Sequence, residues 1–183
     1  MIFEEKKITL KDGRIAVLKS PEAGDAAKML DFIKTACGET EFLLRSPEDW
    51  SGATVEGEEA WIQNSRDSKD SLMITCYVDG DIAGNCDIAF HSDLKVRHRA
   101  VLGIALLEKY WNLGIGTAMF AELFACAEKR EEVEIVELSF VEGNKRARAL
   151  YEKFGLRIVS ARPNAFKLKN GNTAAEYLMQ RRI

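Results

Sequence analysis

Gly114-Ile115-Gly116-Thr117 is the stretch of this chain whose residue types and spacing point most directly to chemistry. It lies between Ala100 to Leu107, apolar on both alternating sets, and an amphipathic run from Thr117 to Arg130. A buried strand that enters a helix through a glycine turn leaves the first backbone N–H groups of that helix unpaired, at the positive end of its dipole. Such a turn is an anion site, and phosphate is its natural occupant. Glycine suits it because a side chain would hold phosphate oxygens away from the main chain, and because a tight turn can demand a positive φ. Two common versions of the motif are excluded by the spelling. A dinucleotide fingerprint G-x-G-x-x-G needs a third glycine where Met119 stands, and a nucleotide P-loop needs a Gly-Lys-Ser/Thr ending that is absent.

Few other side chains are equipped for catalysis. There are two histidines, His91 and His98, and four widely spaced cysteines, Cys37, Cys76, Cys86 and Cys126. No C-x-x-C pair or His cluster is present, so no metal site is expected and the cysteines read as reduced, mostly buried thiols. Cys126 falls in mid-helix with no neighbouring His or Asp to activate it, which disfavours it as a nucleophile. Tyr151 lies on an apolar stripe with Ala147, Leu150 and Phe154, and Asn144 stands where that helix would begin, a capping position.

The elements that must hold these residues follow from periodicity and turn chemistry. Ile8–Leu10 and Arg14–Leu18 read as strands around Asp12-Gly13, and Ser20-Pro21 as the start of a first helix ending near Gly38. Ser46-Pro47-Glu48 and Glu56 onward could each open a short helix, the second running to about Arg66. Leu72–Val78 and Ile82–Phe90 form a hairpin around Asp79-Gly80-Asp81. A strand, a helix, a strand at Val133–Val141, a helix at Asn144–Phe154 ended by Gly155, and strands at about Arg157–Ala161 and Ala174–Gln180 complete the order. Hairpins in the first half and strand–helix–strand units in the second predict an α/β fold, a mixed sheet covered by helices on both faces.

At 183 residues with 46% hydrophobic composition, the chain predicts one domain spanning 1–183. Lys plus Arg is 26 and Asp plus Glu is 29, a net charge of −3, which disfavours nucleic acid as a ligand. No apolar run approaches the ~20 residues of a membrane span, and no secretory signal is visible, so no membrane partner and a cytoplasmic location are expected.

The segment from Ile104 through Tyr110-Trp111-Asn112-Leu113-Gly114-Ile115-Gly116-Thr117 resembles motif A, Q/R-x-x-G-x-G/A, of the GNAT superfamily of acetyl-CoA-dependent N-acetyltransferases. Trp111 stands where Arg or Gln is usual. Leu138 to Asn144, with Ala147, Leu150, Tyr151, Phe154 and Gly155, resembles motif B of the same family, and the two together span roughly residues 98 to 156. The resemblance implies a GNAT-like, mostly antiparallel sheet in which the strand before the loop splays from its neighbour. Backbone groups at Ile104, Ala105 and Leu106 would then pair with the pantetheine arm of acetyl-CoA, Leu113 to Thr117 would hold its pyrophosphate, and an N–H near Leu106 would face the thioester oxyanion.

It also implies acetyl transfer to a primary amine by direct attack. Tyr151 would be the acid that protonates the leaving thiolate, and Asn144 would touch the cofactor arm while capping its helix. The base stays open between His98, which sits by count where relatives often carry a Glu, Glu137 and water. The acceptor, a small molecule or a peptide, would lie beside the first two helices, where Glu39, Glu41 and Glu48 could attract a cation and Trp50 and Trp61 could line a pocket. A noncatalytic acyl-CoA sensor and an interaction module are the alternatives. A homodimer through the terminal strands is compatible with the pattern.

Overall fold

The computed structural model describes residues 1–183. The chain opens with β1 (Lys6–Thr9) and β2 (Ile15–Lys19), paired antiparallel around Asp12-Gly13. Ser20 does not cap the helix that follows. Its hydroxyl is buried, accepting from Phe3 N and donating to Met73 O, both at 2.9 Å, so it ties the N-terminal segment to the sheet. Glu22 opens a 3₁₀ turn over Ala23–Asp25 instead, and its N–H donates to Asp25 Oδ2. The turn runs into α1 (Ala26–Glu39), which buries Met29, Phe32 and Ala36 along one face. A second 3₁₀ turn over Pro47–Trp50 precedes α2 (Val55–Asp67), which starts where Thr54 Oγ1 accepts from Gly57 N at 3.1 Å.

The hairpin of β3 (Ser71–Val78) and β4 (Asp81–Phe90) turns through Asp79 and Gly80, both at positive φ, as a tight hairpin matched to strand twist requires. Then come β5 (Arg99–Leu106), α3 (Ile115–Ala127), β6 (Ile135–Val141), α4 (Lys145–Lys153), β7 (Arg157–Lys167) and β8 (Thr173–Arg182). The last two strands run longer than periodicity suggests. β7 continues past Pro163 and Asn164 with a shift of register between Arg162 and Phe166, tolerable on an edge strand where a missing N–H costs no ladder bond.

All eight strands form one sheet in the order β1-β2-β3-β4-β5-β6-β8-β7. Only β5 and β6 run parallel, and they pair over just Arg99–Val101 against Ile135–Glu137. Beyond Val101, β5 stays with β4 through Leu106 while β6 stays with β8 through Val141, so the sheet opens like a V. Strand alternation puts Asn85, Asp87, Gly103 and Ala105 on the face covered by α1 and α2, and Ile104 and Leu106 on the face covered by α3. α3 and α4 lock together through aromatic rings. The fully buried Phe120 stacks on Tyr151 at 5.4 Å and meets Phe154 edge-on at 5.5 Å, while Phe124 stacks on Phe154. No helix is long and apolar enough to cross a membrane.

Candidate active site

The divergence of β5 from β6 leaves the backbone of Leu102 to Leu106 without a strand partner on one side. A cavity of about 520 Å³ occupies the opening, walled by Leu102–Leu106, by Leu138–Phe140 of β6, and by Asn144–Ala147, Leu150 and Tyr151 at the start of and along α4. Exposed main-chain donors and acceptors along an apolar slot suit an extended chain that carries amides, which can add to β5 as a strand would.

At the mouth stands the glycine loop. Gly114 adopts φ +96°, a left-handed conformation that costs other residues roughly 1–2 kcal/mol, and no atom lies within 4 Å of where a Cβ would point. The N–H groups of Ile115, Gly116 and Thr117 have no acceptor within the chain and cluster at the N-terminus of α3. Trp111 donates its indole N–H to Leu106 O at 2.9 Å. Its ring carries the Arg146 guanidinium 3.3 Å from the centroid, so a cation from α4 stands over the residue that replaces the usual motif Arg or Gln. Sequence reading missed Arg146. The signal was there, an arginine two residues past the Asn144 cap, but nothing in one sequence says that α4 folds against Trp111.

Ile104, Ala105, Leu106, Asn144 and Tyr151 all line this cavity, and Leu113 to Thr117 form the loop beside it. Asn144 Oδ1 accepts from Ala147 N at 3.1 Å, capping α4. Tyr151 is 6% exposed, and burial pushes its phenol up to about 12, which keeps it protonated near neutral pH.

A second cavity of about 540 Å³ lies on the other face, between α1, α2 and the sheet. Leu43, Ile104 and Ala105 line both, so the two meet along β5. Its walls are Met29, Phe32 and Ile33 of α1, with Trp50 and Trp61; its polar groups are Arg45, Glu58, Asn85 and Asp87. The Trp50 indole N–H lies against the Cys37 thiol and has no oxygen acceptor, while its ring carries Arg45 at 4.7 Å. Burial pushes the carboxyls of Glu58 and Asp87 up from their ordinary values.

The other predicted residues lie elsewhere. His98 precedes β5 at its paired end, with its carbonyl accepting from Glu134 N and Ile135 N, and it lines neither cavity. Glu137 is buried beneath that end, held by Arg99 at 3.2 Å and by Gln180 Nε2 at 2.7 Å, a structural ion pair. Counting back from the loop puts His98 at the start of the strand; it lies in the turn just before β5, at the end remote from the opening. Glu39 accepts from Glu108 N and Glu41 from Lys169 N, Glu48 is exposed, and none of the three reaches the second cavity. The acidic groups there are Glu58 and Asp87 instead.

Residues 39–156 match the acetyltransferase (GNAT) family. The chain is 25% identical over 121 residues to the L-amino acid N-acetyltransferase AaaT of Escherichia coli (strain K12), covering 66% of this chain and 74% of that protein. Its fold superposes on a GNAT-family acetyltransferase from Streptococcus pneumoniae with a TM-score of 0.84 at 26% identity, over 92% of this chain and 99% of the other. It also superposes on yncA from Salmonella typhimurium, solved with its cofactor acetyl-CoA, with a TM-score of 0.76 at 13% identity, over 91% and 93% of the chains. The chain belongs to the acetyltransferase (GNAT) family, and its activity is acetyl transfer from acetyl-CoA to an amine.

Proposed function

We propose that the acceptor is a small-molecule primary amine that enters through the second cavity and attacks the thioester directly, with both substrates bound at once. The observation that carries this reading is the meeting of the two cavities at Ile104 and Ala105, which brings a nucleophile and an acyl group to one strand from opposite faces. The second cavity is small and walled by apolar and aromatic side chains, which suits a compact amine better than a polymer chain. An α-amine of a free amino acid fits both this pocket and the similarity to an L-amino acid N-acetyltransferase, with the exposed Arg45 available for a carboxylate.

Acetyl-CoA supplies an activated carbonyl and a thiolate leaving group. The backbone of Ile104 to Leu106 pairs with the pantetheine arm and presents N–H to the carbonyl oxygen. The loop from Leu113 to Thr117 takes the pyrophosphate on its free N–H groups, and Arg146, held on Trp111, adds the charge that the motif usually supplies from its own first position. Asn144 holds the start of α4 against the arm. Tyr151 gives its proton to the departing sulfur, its buried phenol being protonated at working pH. The location we assign is cytoplasmic, where the four thiols stay reduced. The free edge of β7, with Ile158 and Val159 exposed, is where a second copy would pair.

The test is thiol release from acetyl-CoA with free amino acids, arylalkylamines, polyamines, aminoglycosides and peptide N-termini. Stimulation by compact amines, reduced at least tenfold by Tyr151→Phe, supports the reading. Stimulation by peptides alone, or by none while acetyl-CoA still binds, refutes it.

A further inference from the structure

Asp87 is half-buried on the floor of the second cavity, and no hydrogen-bond donor or counter-ion in the protein meets its carboxylate. A carboxylate drawn partly out of water with no partner in the protein is poised to take a cation from the cavity it faces. Glu137, the buried acid of the sheet, shows the ordinary solution, with Arg99 and Gln180 upon it. Asp87 has the reverse arrangement, because the fold makes room for it and leaves it bare. Its strand partner is Gly103, and a Cβ on Gly103 would stand 2.7 Å from Asp87 Oδ1. The glycine therefore lets the carboxylate lie over the β5 backbone, one residue before Ile104 and Ala105, where the cavities meet. Asn85, two residues along the same face, accepts from Thr75 Oγ1 at 2.8 Å and is held in place. The remaining charged groups facing this space are Glu58 from α2 and the exposed Arg45, with Cys86 on the opposite face of β4.

We infer that Asp87 is the catalytic base, the group that receives the acceptor's ammonium in the second cavity and removes its proton. This rests on the proposed route of the amine. The ammonium first supplies the missing counter-ion, and its aliphatic or aromatic body packs against Phe32, Trp50 and Trp61. A proton then passes from nitrogen to the carboxylate, leaving a neutral amine whose lone pair forms the C–N bond to the thioester carbon. As the C–S bond breaks, the sulfur takes a proton from Tyr151, which regains one from the still-protonated nitrogen. Asp87 releases its own proton to water at the cavity mouth, so each turnover yields amide, free thiol and one proton. Burial raises the carboxyl toward working pH, which strengthens it as a base.

Asp87→Asn keeps the shape and removes the base, and the probe is phenethylamine, with 2-phenylethanol as its neutral isostere. We expect acetyl transfer to phenethylamine to fall about 100-fold or more in kcat/KM. Phenethylamine affinity should drop at least tenfold, 2-phenylethanol affinity should stay within twofold, and acetyl-CoA affinity should not change. Transfer within threefold of wild type in Asp87→Asn overturns the inference. So does phenethylamine affinity within twofold of wild type in Asp87→Asn. Failure of the wild-type protein to bind acetyl-CoA, or to bind and acetylate any compact amine, would instead sink the proposed function itself, so the two failures are read on different proteins and are distinguishable.

Discussion

Arg146→Ala isolates the contact that the structure offers in place of the motif's missing Arg or Gln. The guanidinium lies 3.3 Å from the Trp111 ring centroid, while Trp111 is anchored separately through its indole N–H on Leu106 O. Removing Arg146 thus leaves the ring and the glycine loop in place. The lost stacking costs about 0.5–1 kcal/mol of stability at such a site. A hydrogen bond to a charged group is worth about 1.5–3 kcal/mol, and each ~1.4 kcal/mol is a factor of ten. The dissociation constant for acetyl-CoA should therefore rise roughly 10- to 150-fold. Calorimetric titration with acetyl-CoA and with S-acetylpantetheine separates the causes, because the second donor has the arm and thioester but no pyrophosphate. Weakening confined to acetyl-CoA, and reduced at high salt, is the expected result. Equal weakening of both donors, or of neither, would refute the assignment of Arg146 to phosphate.

Other perturbations test other parts of the account. Gly103→Ala should displace the Asp87 carboxylate and lower kcat/KM at least tenfold; because the crowded atom is the far end of a flexible side chain, the urea midpoint should barely move. Asp87→Asn should raise stability at pH 7. The folded carboxyl titrates above its unfolded value of 3.8, so the native state binds the extra proton as pH rises through that window and stability falls. The gain should vanish below pH 3.8, and urea melts of both proteins at acidic and neutral pH check this. Phe120→Ala should cost about 3–5 kcal/mol by the same assay, since the ring is fully buried between α3 and α4 and stacks on Tyr151.

Much of this was legible in residue order because it is local. Asp-Gly at 79–80 dictated the β3–β4 turn, and Gly114 and Gly116 marked a loop whose donors are set by two adjacent elements. Ser20 misled because a Ser-Pro start is met equally well by a hydroxyl that bridges two distant backbone groups. The site's second half depends on long-range register. In β4, Asn85 and Asp87 alternate with Gly84, Cys86 and Ile88, a pattern that reads as a solvated face. They are covered because α1 and α2 lie on that face, and Asp87 has room because its cross-strand partner is a glycine sixteen residues on. His98 shows the opposite failure. It lies in the turn just before β5, and only the short β5–β6 pairing reveals that the strand opens at its other end.

The measurement closest to the central claim is rapid mixing of the enzyme with acetyl-CoA, following thiol release with and without L-phenylalanine or phenethylamine. Direct attack within a ternary complex predicts release only when the amine is present, at a rate that saturates in both substrates. A stoichiometric burst of free thiol before any amine is added would show an acetyl-enzyme, and contradict it.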